Sequence, residues 1–245
     1  MKVNSSERFP GLFRSEQQGL ELLRKAGGPP VPEVFACRVI DGRQLLLMEY
    51  VETGTASWDF FRNFGESLAN LHLSSTDYFG LDHDNWMGSL RQYNHPSQTL
   101  KEYFIQQRLV PQVAMAQAAG RLSPADLHRF ERLYSRLTSL LPDEPSVLIH
   151  GDLWNGNFLE GADGRAWLID PAVSYACREM DIAMTRLFGG FDQTFYAAYQ
   201  HTYPMLPGWQ ERTSLWNLYP LLVHVNLFGG GYADEVRSIL KRFVG

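Results

Sequence analysis

The sequence lacks the features of several protein classes. It has only two cysteines among 245 residues, Cys37 and Cys177, and they lie far apart without the spacing of a metal site. A disulfide framework and a structural zinc site are therefore not expected. No apolar run approaches the roughly 20 residues that span a bilayer, and no basic start is followed by an apolar stretch. We expect a cytoplasmic protein with two reduced thiols.

The sequence also lacks an excess of charge. The formal net charge is -5, and no basic stripe is visible, so nucleic acid is not an expected partner. Hydrophobic residues make up 44% and charged residues 20%, as in ordinary globular proteins, which argues against disorder and coiled coil. The length is sufficient for two lobes around a cleft.

The pattern of apolar residues predicts a small unit of strands and a helix at the N-terminal end. Residues 10–26 have helical periodicity, and residues 31–40 and 44–51 have the character of strands joined by Asp41-Gly42, a hairpin signal. A larger, mainly helical unit is predicted to follow. The joint is expected near Glu49 to Thr55, which gives an N-terminal lobe of residues 1–51 and a C-terminal lobe of residues 52–245.

Within the larger unit, residues 79–94 have no clear period and are predicted to form an ordered loop. Long helices are predicted over residues 98–119 and 124–141, and the second begins with Ser123-Pro124, a cap followed by a first-turn proline. Short apolar strands are predicted to end at Ile149 and Ile169. The aromatic residues of the last third are expected to lie mostly in the core.

The strongest functional signal is the segment Ser146 to Asn157, an apolar strand followed by His-Gly-Asp-Leu-Trp-Asn-Gly-Asn. Asp152 and Asn157 are five positions apart, and Asp170 follows a second short strand. Protein kinases have the same spacing in their catalytic loop, where the aspartate accepts the hydroxyl proton and the asparagine binds metal. Each piece alone could be a turn, a cap or a strand end. The three in this order favour phosphoryl transfer.

The residue types also suit this chemistry. Mg²⁺ prefers hard oxygen ligands, which Asn157 and Asp170 can supply, and Asp152 can act as the base, while His150 is expected to brace the loop. A kinase fold also needs a lysine on a strand, paired with a helix glutamate. Lys2 and Glu16 fit that geometry, although both residue types are common at such positions. Residues 49–51 (Glu49, Tyr50 and Val51) are a candidate hinge for adenine, or an ordinary strand end.

Beyond this loop, the chain resembles the fructosamine kinase family of the protein-kinase-like and aminoglycoside phosphotransferase-like group. The resemblance rests on the catalytic loop with Trp154, on Asp170-Pro171-Ala172, and on further motifs from Phe79 to Gly229. It implies an α+β, two-lobed protein-kinase-like fold, with a small N-terminal lobe of sheet and helix and a larger, mainly helical C-terminal lobe. It also implies ATP-dependent phosphorylation of a sugar hydroxyl on a ketosamine. A ketosamine is the rearranged adduct of a sugar with an amine, and the expected substrate is either a free ketosamine or one on a glycated protein.

The same resemblance implies roles for individual residues. Asp152 would accept the proton, Asn157 and Asp170 would bind Mg²⁺, and Lys2 with Glu16 would contact the phosphates of ATP. Residues 49–51 would contact adenine. The residues expected on the sugar side are Asp84, Asn85, Gln92, Asn94 and Trp154. Two alternatives stay open: a kinase of another small hydroxylated metabolite, and a pseudokinase that binds a partner without catalysis.

One departure from the family pattern concerns the small lobe. Similar proteins have two more strands before the lysine, joined by a loop over the phosphates, and no Gly-x-Gly-x-x-Gly occurs here. We therefore expect an incomplete N-terminal lobe, weak ATP binding, and a tendency to aggregate or form a homodimer through an unpaired sheet edge.

Overall fold

The computed structural model describes all 245 residues and begins with a small antiparallel sheet. Its strands are β1 (Lys2–Ser5), β2 (Val34–Ile40) and β3 (Arg43–Met48), in the order β1-β3-β2. Asp41 and Gly42 both have positive φ, 48° and 72°, as the central residues of a type I′ hairpin turn require. The predicted hairpin is therefore confirmed.

A single helix, α1 (Leu12–Ala26), packs against this sheet. Phe13, Leu20 and Leu23 are buried, in agreement with the predicted amphipathic pattern. The buried side chain of Gln44 joins helix and sheet, because its oxygen accepts from the backbone N–H of Phe13 while its NH₂ group donates to two backbone carbonyls before α1. Helix and sheet are thus fixed relative to each other.

The larger unit contains most of the helices. Those outside residues 98–119 are α2 (Phe60–Leu71), α5 (Pro124–Leu140), α6 (Glu179–Leu187), α7 (Gln193–Thr202), α8 (Trp209–Trp216), α9 (Leu218–Phe228) and α10 (Tyr232–Val244). The predicted start of α5 is confirmed: the Ser123 side chain and the Asp126 carboxylate form a reciprocal capping box, with Pro124 in the first turn.

The helix predicted over residues 98–119 is interrupted. It consists of α3 (Leu100–Tyr103), a π-helical turn (Phe104–Leu109) and α4 (Val110–Ala118). Pro111 has no N–H to donate to the carbonyl of Gln107, which instead accepts from the guanidinium of buried Arg108. Sequence periodicity alone does not reveal this change of register.

Short strands bring the predicted motifs together. The strands β4 (Ser75–Thr76), β7 (Ser146–Ile149) and β10 (Ser174–Ala176) form a sheet in the order β10-β7-β4. The strands β8 (Phe158–Glu160) and β9 (Ala166–Leu168) form a hairpin, and residues 79–94, predicted as a loop, contain a second hairpin of β5 (Asn85–Met87) and β6 (Leu90–Gln92). Since β7 is fully buried, its end has a fixed position.

Two hydrophobic clusters stabilise the chain. The larger lies among α4, α5, α9 and α10, and the smaller contains Leu20 and Leu23 of α1 together with Phe60, Phe64 and Leu68 of α2. The N-terminal unit therefore shares a core with the rest of the chain. None of the helices has the length and apolar character that crossing a membrane requires.

We predict that Gly65→Ala destabilises the fold, although alanine is the better helix former. Gly65 lies where α2 crosses α7, and an added Cβ would meet the Phe195 carbonyl oxygen at 2.2 Å. Overpacking of this kind lowers the free energy of unfolding by about 1–3 kcal/mol, measurable by urea denaturation. The exposed neighbour on the same helix provides the control: Glu66→Ala should change stability by less than about 0.5 kcal/mol. Equal stability of both variants would contradict the close approach.

Candidate active site

The loop after β7 positions Asp152 and Asn157 side by side. The Asn157 NH₂ group donates to the Asp152 carboxylate at 2.9 Å and to its backbone carbonyl at 2.8 Å. The Asn157 side-chain oxygen accepts no hydrogen bond from the protein. The spacing of five residues therefore forms a closed turn that leaves one amide oxygen free.

Asp170 follows β9 and lies opposite this loop. Its backbone has φ 54°, the left-handed region that a residue with a Cβ seldom adopts. Such strain persists only where the surroundings enforce it and is often associated with function. The side chain is 47% exposed, and one of its oxygens contacts the Lys2 ammonium. The other oxygen has no partner in the protein.

Lys2 bridges the two lobes of the site. Its ammonium contacts Glu16 on α1 at 2.6 Å and also Asp170. Burial opposes its charge, but the carboxylates of Glu16 and Asp170 outweigh this effect and raise the pKa of Lys2. Burial raises the pKa of Glu16, although the nearby positive charge of Lys2 acts to lower it. The predicted lysine–glutamate pair is thus formed in the structure.

A buried carboxylate anchors the loop from behind. Asp181, at the start of α6, accepts the backbone N–H groups of His150 (2.7 Å) and Gly151 (2.8 Å) and contacts His72 at 3.3 Å. Burial acts to raise the pKa of Asp181, but the hydrogen bonds and His72 hold it below its ordinary value. Because Asp181 is ionised, it can accept these bonds and fix the direction in which Asp152 leaves the strand.

Gly151 permits a close approach of the two functional loops. It has φ 82°, and a Cβ at this position would lie 2.0 Å from the carbonyl oxygen of Ala172. The Ala172 N–H also donates to the His150 carbonyl at 2.9 Å. The segment that carries Asp152 is therefore held directly against the segment that follows Asp170. The buried imidazole of His150 accepts from the backbone N–H of Asp152 and donates to the carbonyl of Ile169, so it braces the two loops as predicted.

Two hollows meet at Asp152. The charged hollow, of about 340 Å³, is lined among others by Lys2, Glu16, Asp152, Asn157 and Asp170. The aromatic hollow, of about 350 Å³, is lined among others by Phe188, His224, Phe228 and Tyr232. Asp152, Trp154 and Gly88 border both hollows. A group in one hollow and a group in the other could therefore reach the same carboxylate.

The environment of Asp152 suits a proton acceptor. The pKa of Asp152 is raised to about 7, with burial as the largest cause. The hydrogen bond from Asn157 acts to lower it, and the nearby charges of Asp170 and Asp181 act to raise it. A general base is most effective when its pKa lies near the working pH. This carboxylate, unlike an exposed one, is therefore poised to bind and release a proton near neutrality.

The residues of the charged hollow also fit a divalent cation. Asn157 and Asp170 each have one oxygen without a protein partner, and both line the same space. Mg²⁺ is usually bound by one or two carboxylates or similar oxygens, with phosphate and water completing its octahedron. The donor set therefore matches a hard cation bound together with a phosphate ligand.

Four of the five residues predicted for the sugar side do not line either hollow. Asn85, Gln92 and Asn94 are buried, at most 3% exposed. The amides of Asn85 and Gln92 donate to the backbone carbonyls of Val173 and Ala172, and Asn94 donates to Asn85. Asp84 accepts from Arg91 and from the Asn94 backbone. Their geometry is that of supports for Ala172 and Val173, and Trp154 alone of the five borders the hollows.

The predicted hinge also lies outside the charged hollow. The N–H of Glu49 donates to the Glu33 carbonyl, whereas the backbone N–H groups of Tyr50 and Val51 donate to no protein carbonyl. Tyr50 is 86% exposed and Val51 is buried. A free backbone N–H at the crossing from β3 to the larger unit can donate to the N1 acceptor of an adenine edge.

Sequence reasoning missed several residues around the site. His72 gave no signal, and the aromatic residues were expected in the core, yet Phe188 is 39% exposed and borders the aromatic hollow. Phe228 is 68% exposed. The glycines that directly follow both residues were the available signal, because they mark helix ends at which a side chain can be left at the surface.

The site combines a lysine–glutamate pair beneath a small sheet with the loops that carry Asp152, Asn157 and Asp170. These features together define a protein-kinase-like phosphotransferase. The fold agrees with a solved gentamicin complex of APH(2″)-IIa (TM-score 0.57, 15% identity, 99% of this chain and 82% of that one), a likeness in fold alone. The predicted α+β, two-lobed kinase-like class is thereby confirmed.

The sequence model of the fructosamine kinase family matches residues 1–245, so the chain belongs to this family. It is 40% identical over 234 residues to a Lactiplantibacillus plantarum protein described as a probable ketoamine kinase, covering 94% of this chain and 81% of that protein. A crystal structure from Thermobifida fusca, provisionally described as a fructosamine-3-kinase, has a TM-score of 0.85 and 39% identity, over 95% of this chain and 81% of that one. The predicted family is confirmed.

We predict that Asp152→Asn stabilises the folded chain when EDTA is present. The pKa of Asp152 rises from 3.8 to about 7 on folding, so the folded protein loses stability as the pH rises through that interval. The uncharged variant avoids this loss, so it should gain up to about 4 kcal/mol above pH 7 and nearly nothing below pH 4.

Urea denaturation at both pH values measures this gain. The exposed Asp143→Asn is the matched control and should change the free energy of unfolding by less than about 0.5 kcal/mol. If Asp152→Asn is the less stable protein at pH 8, the carboxylate is not destabilised by burial and this description of its environment is wrong.

Proposed function

We propose that the protein transfers the γ-phosphoryl group of ATP to a sugar hydroxyl of a ketosamine, either free or on a glycated protein. The observation that carries the proposal is the position of Asp152, which borders both the charged and the aromatic hollow. The names of the ketoamine and fructosamine kinases to which the chain is similar support the choice of acceptor.

In the proposed reaction, the acceptor hydroxyl lies at Asp152 and attacks the γ-phosphorus. A bond forms between the hydroxyl oxygen and phosphorus, the bond from phosphorus to the β–γ bridging oxygen breaks, and ADP leaves with that oxygen. The hydroxyl proton passes to the Asp152 carboxylate and later to solvent. A base placed in this way accelerates such a step by about 10²–10⁴-fold.

Three residues serve the nucleotide phosphates. Asn157 and Asp170 would hold Mg²⁺ through their free oxygens, and the cation would neutralise charge on the phosphoryl oxygens. Lys2, oriented by Glu16, would contact the α- and β-phosphates. Residues 49–51 would contact adenine, whose N1 would accept from a free N–H of Tyr50 or Val51. Residues 1–51 would then form the nucleotide lobe, and residues 52–245 the catalytic and acceptor lobe.

The remaining predicted site residues have different roles in this proposal. Trp154 is placed at the acceptor. Asn85, Gln92 and Asn94 support Ala172 and Val173, and therefore the position of Asp170, from a distance. The cytoplasmic location and the homodimer stay predictions. The intact Asp152–Asn157 geometry argues against a pseudokinase.

We predict that Asp152→Asn, although stable, lowers kcat for a fructose–lysine adduct by about 10²-fold or more. The asparagine keeps the shape of the turn but cannot take up the proton. Magnesium-dependent ADP release measures the rate, with Asp143→Asn as the control expected to keep full turnover. Near-normal turnover by Asp152→Asn would remove Asp152 from its proposed role.

A further inference from the structure

Four aromatic side chains form a connected surface in the aromatic hollow. Phe188 follows α6, His224 and Phe228 lie on α9, and Tyr232 begins α10. His224 contacts Phe188, Phe228 and Tyr232 with ring centroids 5.2, 5.4 and 4.9 Å apart. Phe188 also contacts Trp154 at 5.8 Å, so the surface is continuous with the border of Asp152.

Two of these rings are exposed without covering a core. Phe188 is 39% and Phe228 68% exposed, and each is followed by glycines with positive φ that turn the chain away. Exposed apolar side chains gathered beside a polar site indicate a surface for a ligand. They can cover the part of an acceptor that extends beyond the reacting hydroxyl.

The charges around the hollow favour a cation over an anion. No lysine or arginine lines it, and Asp152 is its only carboxylate. Aromatic faces attract ammonium groups. In addition, two helix C-termini, which carry partial negative charge, lie at the hollow: α9 ends at Phe228 and α6 ends one residue before Phe188. Only one helix N-terminus, that of α10 at Tyr232, lies there with the opposite partial charge. A carboxylate on the ligand would therefore find no lysine or arginine partner here.

We propose that the aromatic hollow binds the ammonium nitrogen of the ketosamine and the aliphatic chain attached to it. The hollow thereby selects adducts of aliphatic amines over adducts of α-amino acids, which bring a carboxylate next to the nitrogen. This inference rests on the proposed function for the position of the hydroxyl at Asp152. Phe188 and Phe228 are its specificity-determining residues.

The test compares two acceptors that share one sugar, the fructose adducts of n-butylamine and of glycine. We expect kcat/KM to favour the butylamine adduct by about tenfold or more, because both adducts carry the same ammonium nitrogen but only the butylamine adduct buries an alkyl chain in place of a carboxylate. Calorimetry without nucleotide should show the same order of affinities. Equal values of kcat/KM and of Kd for the two adducts would overturn the inference.

Variants at Phe228 test the surface itself. Phe228→Ala should raise Kd and KM for the butylamine adduct about fivefold or more, because its alkyl chain loses a packing partner. The change should be less than about twofold for ATP and for the glycine adduct, which has no such chain. Phe228→Lys should reverse the preference, because it brings a cation to the carboxylate. Phe35→Ala is the matched control, since Phe35 is also exposed but lines neither hollow.

The two proposals fail in different ways. If both adducts are phosphorylated equally and Phe228→Lys leaves their ratio unchanged, the inference falls while the proposed function stands. If neither adduct is phosphorylated, the proposed function falls. The calorimetric ranking of the adducts, and its reversal in Phe228→Lys, then decides whether the hollow selects aliphatic amines.

Discussion

The site depends on the hydrogen bonds that the buried carboxylate of Asp181 accepts. This one side chain receives the backbone N–H groups of His150 and Gly151 and contacts His72, so it joins α6, α2 and the loop after β7. An ionised group in such a position is tolerated only when its partners are complete. The direction of Asp152 therefore follows from a network in which Asp152 itself takes no part.

The sequence predicted those parts of the site whose geometry is set by contacts between residues close in sequence. The turn from Asp152 to Asn157 is short in sequence, and its spacing alone indicated the geometry. The sugar-side prediction for Asn85 and Gln92 came from the family resemblance, and their spacing gave no information about their partners. Their amides donate to the backbone carbonyls of Val173 and Ala172, 80 or more positions away. Likewise, only the structure shows that Arg108 lies in a π-helical turn and bonds to Ser174.

The two hollows divide the requirements of a transfer reaction. One is polar and lined by lysine, carboxylates and an amide, as bound phosphates require. The other is mainly apolar and aromatic, and can accept an organic group without hydrating it. Their shared border consists of Asp152, Trp154 and the hairpin residue Gly88. A base at this border meets both partners, whereas a base deep in either hollow would meet only one.

The charge balance of the first hollow links the nucleotide to a metal. Lys2 is its only cation, against the carboxylates of Glu16, Asp152 and Asp170. A triphosphate alone would meet net negative charge here. Repulsion between the phosphates and these carboxylates is unfavourable where water is partly excluded. The Lys2 ammonium is also held by Asp170. A divalent cation would bind the free oxygens of Asn157 and Asp170, offset this excess of negative charge, and leave Lys2 able to turn toward phosphate, so nucleotide and metal should bind as one unit.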